Sequence, residues 1–223
     1  MMRTGIEFFD AHKPKPGDLW IVASGPGMGK STLLRNLTVG VAEHLDEGRI
    51  SYWDLEQTFS AWQSAIVKMG FEVPSSLDYR NNSPWQDKTQ IIDSLNNSTS
   101  STTKMVAIDH FGLFTDDADA GLKQLKLWLV RTGRFGIVSM QLPRKCWRQT
   151  ASWDSLDPST LPEPILDNGT AVFWTSMTSH RRIDQGGERE MDTLRVILAK
   201  SLTGLRNPSH HAFIWEQDTG RIR

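Results

Sequence analysis

Apolar residues along this chain fall into two rhythms, short continuous runs and stripes at helical spacing, and they take turns. Leu19-Trp20-Ile21-Val22-Ala23-Ser24 is a continuous run that follows the turn cluster Pro14-Lys15-Pro16-Gly17 and leads into glycines, which predicts a buried strand feeding a tight loop. Leu34, Leu37, Val41 and Leu45 then recur at helical spacing, with Gly48 placed as a helix C-terminal glycine. The pattern repeats with a strand over Ile50-Ser51-Tyr52-Trp53-Asp54-Leu55 and a helical face of Phe59, Trp62, Ile66 and Met69 ending at Gly70. Met105-Val106-Ala107-Ile108 reads as a third strand. Leu122, Leu125, Trp128 and Leu129 form another helical stripe, and Phe135 to Met140 a fourth strand. Strands alternating with helices imply right-handed crossovers and a parallel sheet covered on both faces.

The last third changes character. Val172 to Arg182, Leu194 to Lys200 and Ala212 to Trp215 are strand-like runs separated only by turns, which predicts hairpins at a sheet edge, with Gly186-Gly187 turning the first. The polar stretch Asn96 to Thr103 and the proline-rich stretch Asp157 to Pro164 read as surface loops. No internal repeat is visible, and residues 1–223 are expected to form one α/β domain, a size that supports one large core.

Composition narrows the class without naming a partner. Hydrophobic residues at 38% and charged residues at 23% exclude a disordered or fibrous chain. Lys+Arg 25 against Asp+Glu 26 gives a net charge of −1, so nucleic-acid contact would need a local basic patch. The single Cys146 can form no internal disulfide and favours a reducing compartment. No apolar stretch approaches the roughly 18 residues of a membrane span, and the first residues lack a signal-peptide core, so a soluble cytoplasmic protein is expected.

The chemistry concentrates where predicted strands end. Ser24-Gly25-Pro26-Gly27-Met28-Gly29-Lys30-Ser31, followed by Thr32, lies between a strand and a helix and ends in Gly-Lys-Ser, the context of a phosphate-binding loop. Glycines let backbone N–H groups converge on phosphate oxygens, Lys30 supplies a charge to the β/γ-phosphates, and the Ser31 hydroxyl can ligate magnesium. Ser24 stands where the strict pattern has glycine. Lys30 is expected to lie exposed, packing against nothing. Asp109 closes the third strand at the sheet's carboxyl edge, the place for a magnesium-holding Walker B aspartate, and the following His110 reads as a hydrogen-bonded neighbour. Glu56, just past the second strand, could orient and deprotonate an attacking water, with Asp54 its competitor and helix capping an equal reading. Gln141 ends the fourth strand, where an amide could sense the γ-phosphate. The loop after Pro143 interleaves Arg144, Lys145 and Arg148 with Trp147, a combination suited to a phosphate backbone and a stacked base, or equally to a solvated basic loop.

Taken together these motifs resemble the RecA-like motor domain of DnaB-type replicative helicases, including the phage primase-helicases and the Twinkle group, over nearly the whole chain. Thr4-Gly5 with Phe9-Asp10 and Pro16-Gly17-Asp18 looks like that family's lead-in segment, and methionine before Gly-Lys is similar to its phage-type loop. Leu55-Glu56 resembles its glutamate motif, Ile108-Asp109-His110 its Walker B end, and Ser139-Met140-Gln141-Leu142 the motif whose glutamine reads the γ-phosphate. The resemblance implies Glu56 as catalytic base and Gln141 as sensor, with ATP and Mg2+ as cofactors. Leu198 to Gly204 looks like the late strand whose Lys-x-Arg pair reaches a neighbour's nucleotide; Lys200 fits the lysine, while Leu202 occupies the arginine position, leaving Arg206 or Arg195 as substitutes.

The resemblance further implies a homo-oligomer, a ring or filament with a hexamer first in expectation, acting on single-stranded DNA beside a primase or other replication partner, and a phage or plasmid origin. A RecA-, RadA- or KaiC-like accessory ATPase without unwinding activity is the alternative reading, and a non-catalytic nucleotide-dependent module, motivated by Leu202, is a third.

Overall fold

The computed structural model describes residues 2–54, 56–81, 91–113, 115, 117–147, 160–184, 187–201, 209–216 and 221–222. Among them, nine strands form one sheet in the order β3-β2-β4-β5-β1-β6-β7-β8-β9. The strands β1 (Leu19–Ser24), β2 (Arg49–Asp54), β3 (Leu77–Arg80), β4 (Thr103–Asp109) and β5 (Phe135–Gln141) are mutually parallel, and β6 (Ala171–Asp184) pairs parallel with β1. The hairpin strands β7 (Gly187–Ser201), β8 (Ser209–Glu216) and β9 (Arg221–Ile222) extend the sheet antiparallel. The helices are α1 (Glu7–Asp10), α2 (Lys30–Glu43), α3 (Phe59–Lys68), α4 (Ile91–Ser98), α5 (Ala118–Thr132), α6 (Arg144–Trp147) and α7 (Glu163–Asn168).

Two hydrophobic cores lie on opposite faces of the sheet, and β1 shows why its sequence is apolar without a break. Trp20 and Val22 join Leu34, Leu37, Tyr52, Trp62 and Phe173 on one face. Leu19, Ile21 and Ala23 join Trp53, Ile108, Leu125, Trp128 and Trp174 on the other. A strand alternates its side chains, so one covered on both faces needs apolar residues at every position. The chain's lead-in crosses α2 so closely that a Cβ on Gly40 would sit 1.8 Å from the Thr4 carbonyl oxygen, which explains a glycine in mid-helix.

Three sequence expectations change. The stretch after Gly70 contains the edge strand β3 and the helix α4, so Asn96, Asn97 and Ser98 end a helix and Thr103 begins β4. Within that stretch the Asn96 side-chain oxygen accepts a hydrogen bond from Trp128 Nε1 at 2.7 Å, which fastens α4 to α5. Likewise Glu163 and Pro164 begin α7 and are not loop. Finally α2 stops at Glu43, so Gly48, at φ +114°, turns the chain into β2 and caps no helix.

Topology sets where a ligand can meet the sheet. From β1 the chain crosses through α2 to β2, past β5 and β4, and later returns through α5 to β5. The carboxyl ends of β1, β5, β4 and β2 therefore line one crevice at the point where the connections diverge, the usual ligand site of an open α/β sheet.

Candidate active site

The segment Gly25–Gly29 leaves β1 and doubles back into α2, with Gly27 at φ +68° and Gly29 at φ +80°. A Cβ on Gly27 would meet nothing within 4 Å, so its dihedral and not crowding calls for glycine there. Ser24 needs no such freedom: it ends β1 fully buried, its hydroxyl donating to Gly25 O at 3.1 Å. Gly29 caps α2 without a side-chain bond, which leaves the first-turn N–H groups of that helix facing the crevice, where an anion would satisfy them.

Lys30 is buried at 5% exposure, and its Nζ donates to Gly25 O at 2.8 Å. This corrects the expectation of an exposed lysine that packs against nothing. Burial lowers its pKa, while the nearby Asp109 and Glu56 carboxylates act in the opposite direction.

Asp109 at the tip of β4 is fully buried. Its Oδ1 accepts from Ser31 Oγ at 3.1 Å, from the His110 backbone N at 3.1 Å and from Ser139 Oγ, while Oδ2 has no hydrogen-bond partner among the described residues. A hydroxyl beside a buried carboxylate with one oxygen left unmatched is a hard oxygen donor set, and it suits magnesium, which needs few protein ligands when phosphates and waters complete its shell. Ser31 and Asp109 would hold such an ion.

Asp54 and Glu56, two residues apart, sit in different surroundings. Asp54 is completely buried, and its Oδ1 accepts from the backbone N–H groups of Glu56 at 3.0 Å and Gln57 at 2.9 Å, a turn that aims the following side chains outward. Burial raises the Asp54 pKa, reinforced by Asp109, its in-register neighbour across β2 and β4. Glu56, its side chain 48% exposed, reaches the crevice and sets Oε2 2.9 Å from His110 Nε2. Gln141, exposed at the end of β5 and in register with Ser24, borders the same crevice. Pro26 to Thr32, Arg35, Glu56, Gln57, His110 and Gln141 line a cavity of about 470 Å3.

The backbone superposes on a DnaB-like replicative helicase, described with its interactions with primase, at TM-score 0.74 and 13% identity over 99% of this chain. It superposes on the ATPase domain of G40P at TM-score 0.75 and 13% identity, covering 99% of this chain and 90% of that one. This is the fold of a DnaB-type ATPase domain. The chain spans 61% of the length of the replicative helicase. No protein-family model and no curated protein matches the sequence.

In this DnaB-type fold the remaining predicted residues lie apart from the cavity or outside the description. Lys200 pairs with Val172 at the far end of β7, and its Nζ donates to Leu166 O. That is three residues, about 10 Å, back along β6 from Thr175, whose hydroxyl donates to Met28 O in the glycine loop at 2.9 Å. Within one chain, then, Lys200 does not reach the cavity. Arg195 lies in mid-β7 opposite Ser176 and Ala212, and Leu202 and Arg206 fall outside the described residues. Arg144, Lys145 and Trp147 belong to the helical turn α6 rather than a loop, anchored by the buried Cys146; Arg144 is exposed, and Arg148 falls outside the described residues. Among the described residues no helix is long and apolar enough to cross a membrane.

Sequence reasoning did not single out Arg35, Gln57 and Ser139, and it read His110 as a hydrogen-bonded neighbour, which its contacts bear out. Arg35 borders the cavity with its Nε buried and without a hydrogen-bond partner among the described residues. Its spacing of four from Ser31 on one helix was a readable signal. The contact from Ser139 Oγ to Asp109 crosses between strands, and nothing local to either residue announces it.

Proposed function

We propose that residues 1–223 form one RecA-like motor domain of the DnaB helicase type, which hydrolyses ATP with magnesium at a subunit interface and moves on single-stranded DNA. The observation that carries this reading is the 3.1 Å contact between Ser31 Oγ and Asp109 Oδ1 beside a glycine loop whose helix N-terminus is open. The loop N–H groups and Lys30 bind the phosphates, and Ser31 and Asp109 hold the metal. Magnesium, when bound, neutralises charge on the phosphate oxygens. Glu56 takes a proton from the attacking water, held toward the cavity by the Asp54 turn. Gln141 senses the γ-phosphate, and only Leu142 and Pro143 separate it from Arg144, so loss of that phosphate can be passed to the DNA-holding residues Arg144, Lys145, Trp147 and Arg148.

Assembly follows from an open site. Glu56 is half exposed and Lys200 points elsewhere in its own chain, so a neighbouring copy completes the cavity and supplies Lys200 in trans, in a ring or filament on DNA with a primase as a possible replication partner. The test is ATP turnover with and without magnesium and an oligothymidylate. Turnover that needs magnesium, rises with the oligonucleotide and vanishes in Glu56→Gln is expected. Absence of turnover at saturating ATP, magnesium and oligonucleotide overturns the reading.

A further inference from the structure

His110 occupies an unusual position for a residue set down as a neighbour. Its φ is +58°, the left-handed region that costs a non-glycine residue energy and persists where surroundings enforce it. Here its backbone N–H donates to Ser139 Oγ at 2.8 Å and to Asp109 Oδ1 at 3.1 Å, which pins the turn directly after β4. The turn swings the imidazole back over the phosphate cavity, which it lines at 16% side-chain exposure. There its Nε2 lies 2.9 Å from Glu56 Oε2 and 3.4 Å from Ser31 Oγ.

From this geometry we infer that His110 is a positioning residue for Glu56: its Nε2–H holds the Glu56 carboxylate above the phosphate loop, in reach of the water that Glu56 activates. The inference rests on the motor reading, since it needs Glu56 to act as base. Glu56 requires such a tether. It stands past the end of β2, half exposed, with its backbone fixed by Asp54 but its three side-chain torsions otherwise free. A base that wanders by about 1 Å loses a large part of its effect. His110 makes an apt tether because its own backbone is held by Ser139 and by Asp109, the carboxylate that would hold the metal.

His110→Gly tests this without endangering the fold, because glycine accepts φ +58° freely and keeps both backbone hydrogen bonds. With magnesium, ATP and oligothymidylate, His110→Gly is expected to lower kcat about 10- to 100-fold, with KM for ATP changed less than about threefold and Tm not lowered. His110→Gln, which returns a donor on a side chain of similar reach, is expected to regain part of that kcat. In nucleotide-free protein labelled with 15N-histidine, the ring Nε2 resonance that disappears in His110→Gly is expected to shift in Glu56→Gln. Wild-type kcat in His110→Gly, a loss carried wholly by KM or Tm, or an Nε2 resonance indifferent to Glu56→Gln would each overturn the inference. If wild-type protein itself hydrolyses no ATP, the motor reading fails and takes this role with it; hydrolysis by wild type with an unaffected glycine variant removes the role alone.

Discussion

The parallel strands β1 to β5 and the hairpin strands β7 to β9 share one sheet and live under different constraints. In β1 every residue is buried, and in β5 every residue but the terminal Gln141. In β8, by contrast, Phe213 is 3% exposed while the next residue, Ile214, is 47% exposed, so only one face of that strand is covered. The cavity draws its residues from the loops of the parallel half, from the first turns of α2 and from the end of β5, and β6 reaches it where Thr175 holds Met28 O. Chemistry gathers where buried strands end because their rigid cores fix the tips to within a fraction of an ångström, and a catalytic geometry needs that. The hairpin half contributes mass behind the site, through aromatic packing of Phe8 and Phe9 on Phe173 and Phe213.

That division can be broken from either side. Phe173 is fully buried and touches Phe8, Phe9, His12 and Trp20, so Phe173→Ala should cost about 3–5 kcal/mol in a urea unfolding titration. A loss below about 1 kcal/mol would mean that β6 does not buttress β1 and the lead-in segment. Lys30→Met keeps the aliphatic stem in its buried slot but removes the amine, so ATP turnover should fall about 10²–10³-fold with little change in Tm. Equal turnover in variant and wild type would place the phosphates elsewhere.

Asp54→Asn sharpens the contrast through pH. The folded-state pKa of Asp54 is raised by burial, so the native state binds its proton more tightly than the unfolded chain does, and stability from this group falls as pH rises from the unfolded value of 3.8 through the raised one. Asparagine keeps the Oδ1 acceptor for Glu56 and Gln57 and removes the charge. Thermal melts from acid to neutral pH should show the variant gaining on wild type as pH increases, and parallel curves would contradict the burial argument. The smallest effect is expected from Thr175→Val, which deletes the hydrogen bond from β6 to the phosphate loop at a cost of about 1 kcal/mol. ATP affinity, read by fluorescence titration, should weaken only a few-fold; a loss as large as that of Lys30→Met would make the hairpin half part of the binding machinery.

Much of this was legible before any coordinates. The strand over Leu19–Ser24, the loop to Lys30 and the helix after it follow from adjacent residues, as do the apolar runs at β2, β4 and β5. The edge strand β3 escaped notice because Leu77-Asp78-Tyr79-Arg80 alternates for only four residues, and α4 because its polar end disguises a helix with one fully buried leucine, Leu95. Lys200 fits a motif by type, and its place beside the Leu166 carbonyl of its own chain follows from strand register, which no local pattern announces.

Periodicity and glycine placement are properties of neighbouring residues, so the chain's order of strands and helices, its glycine loop and its carboxylates at strand tips can be read along the chain. Which carboxylate faces the cavity, that Lys30 is buried, and that His110 meets Glu56 depend on the register of β2 beside β4 and on a single left-handed turn. The site's contacts join residues far apart in the chain, 78 positions for Ser31 and Asp109 and 147 for Met28 and Thr175, and arise only when both cores close and carry the strand ends together.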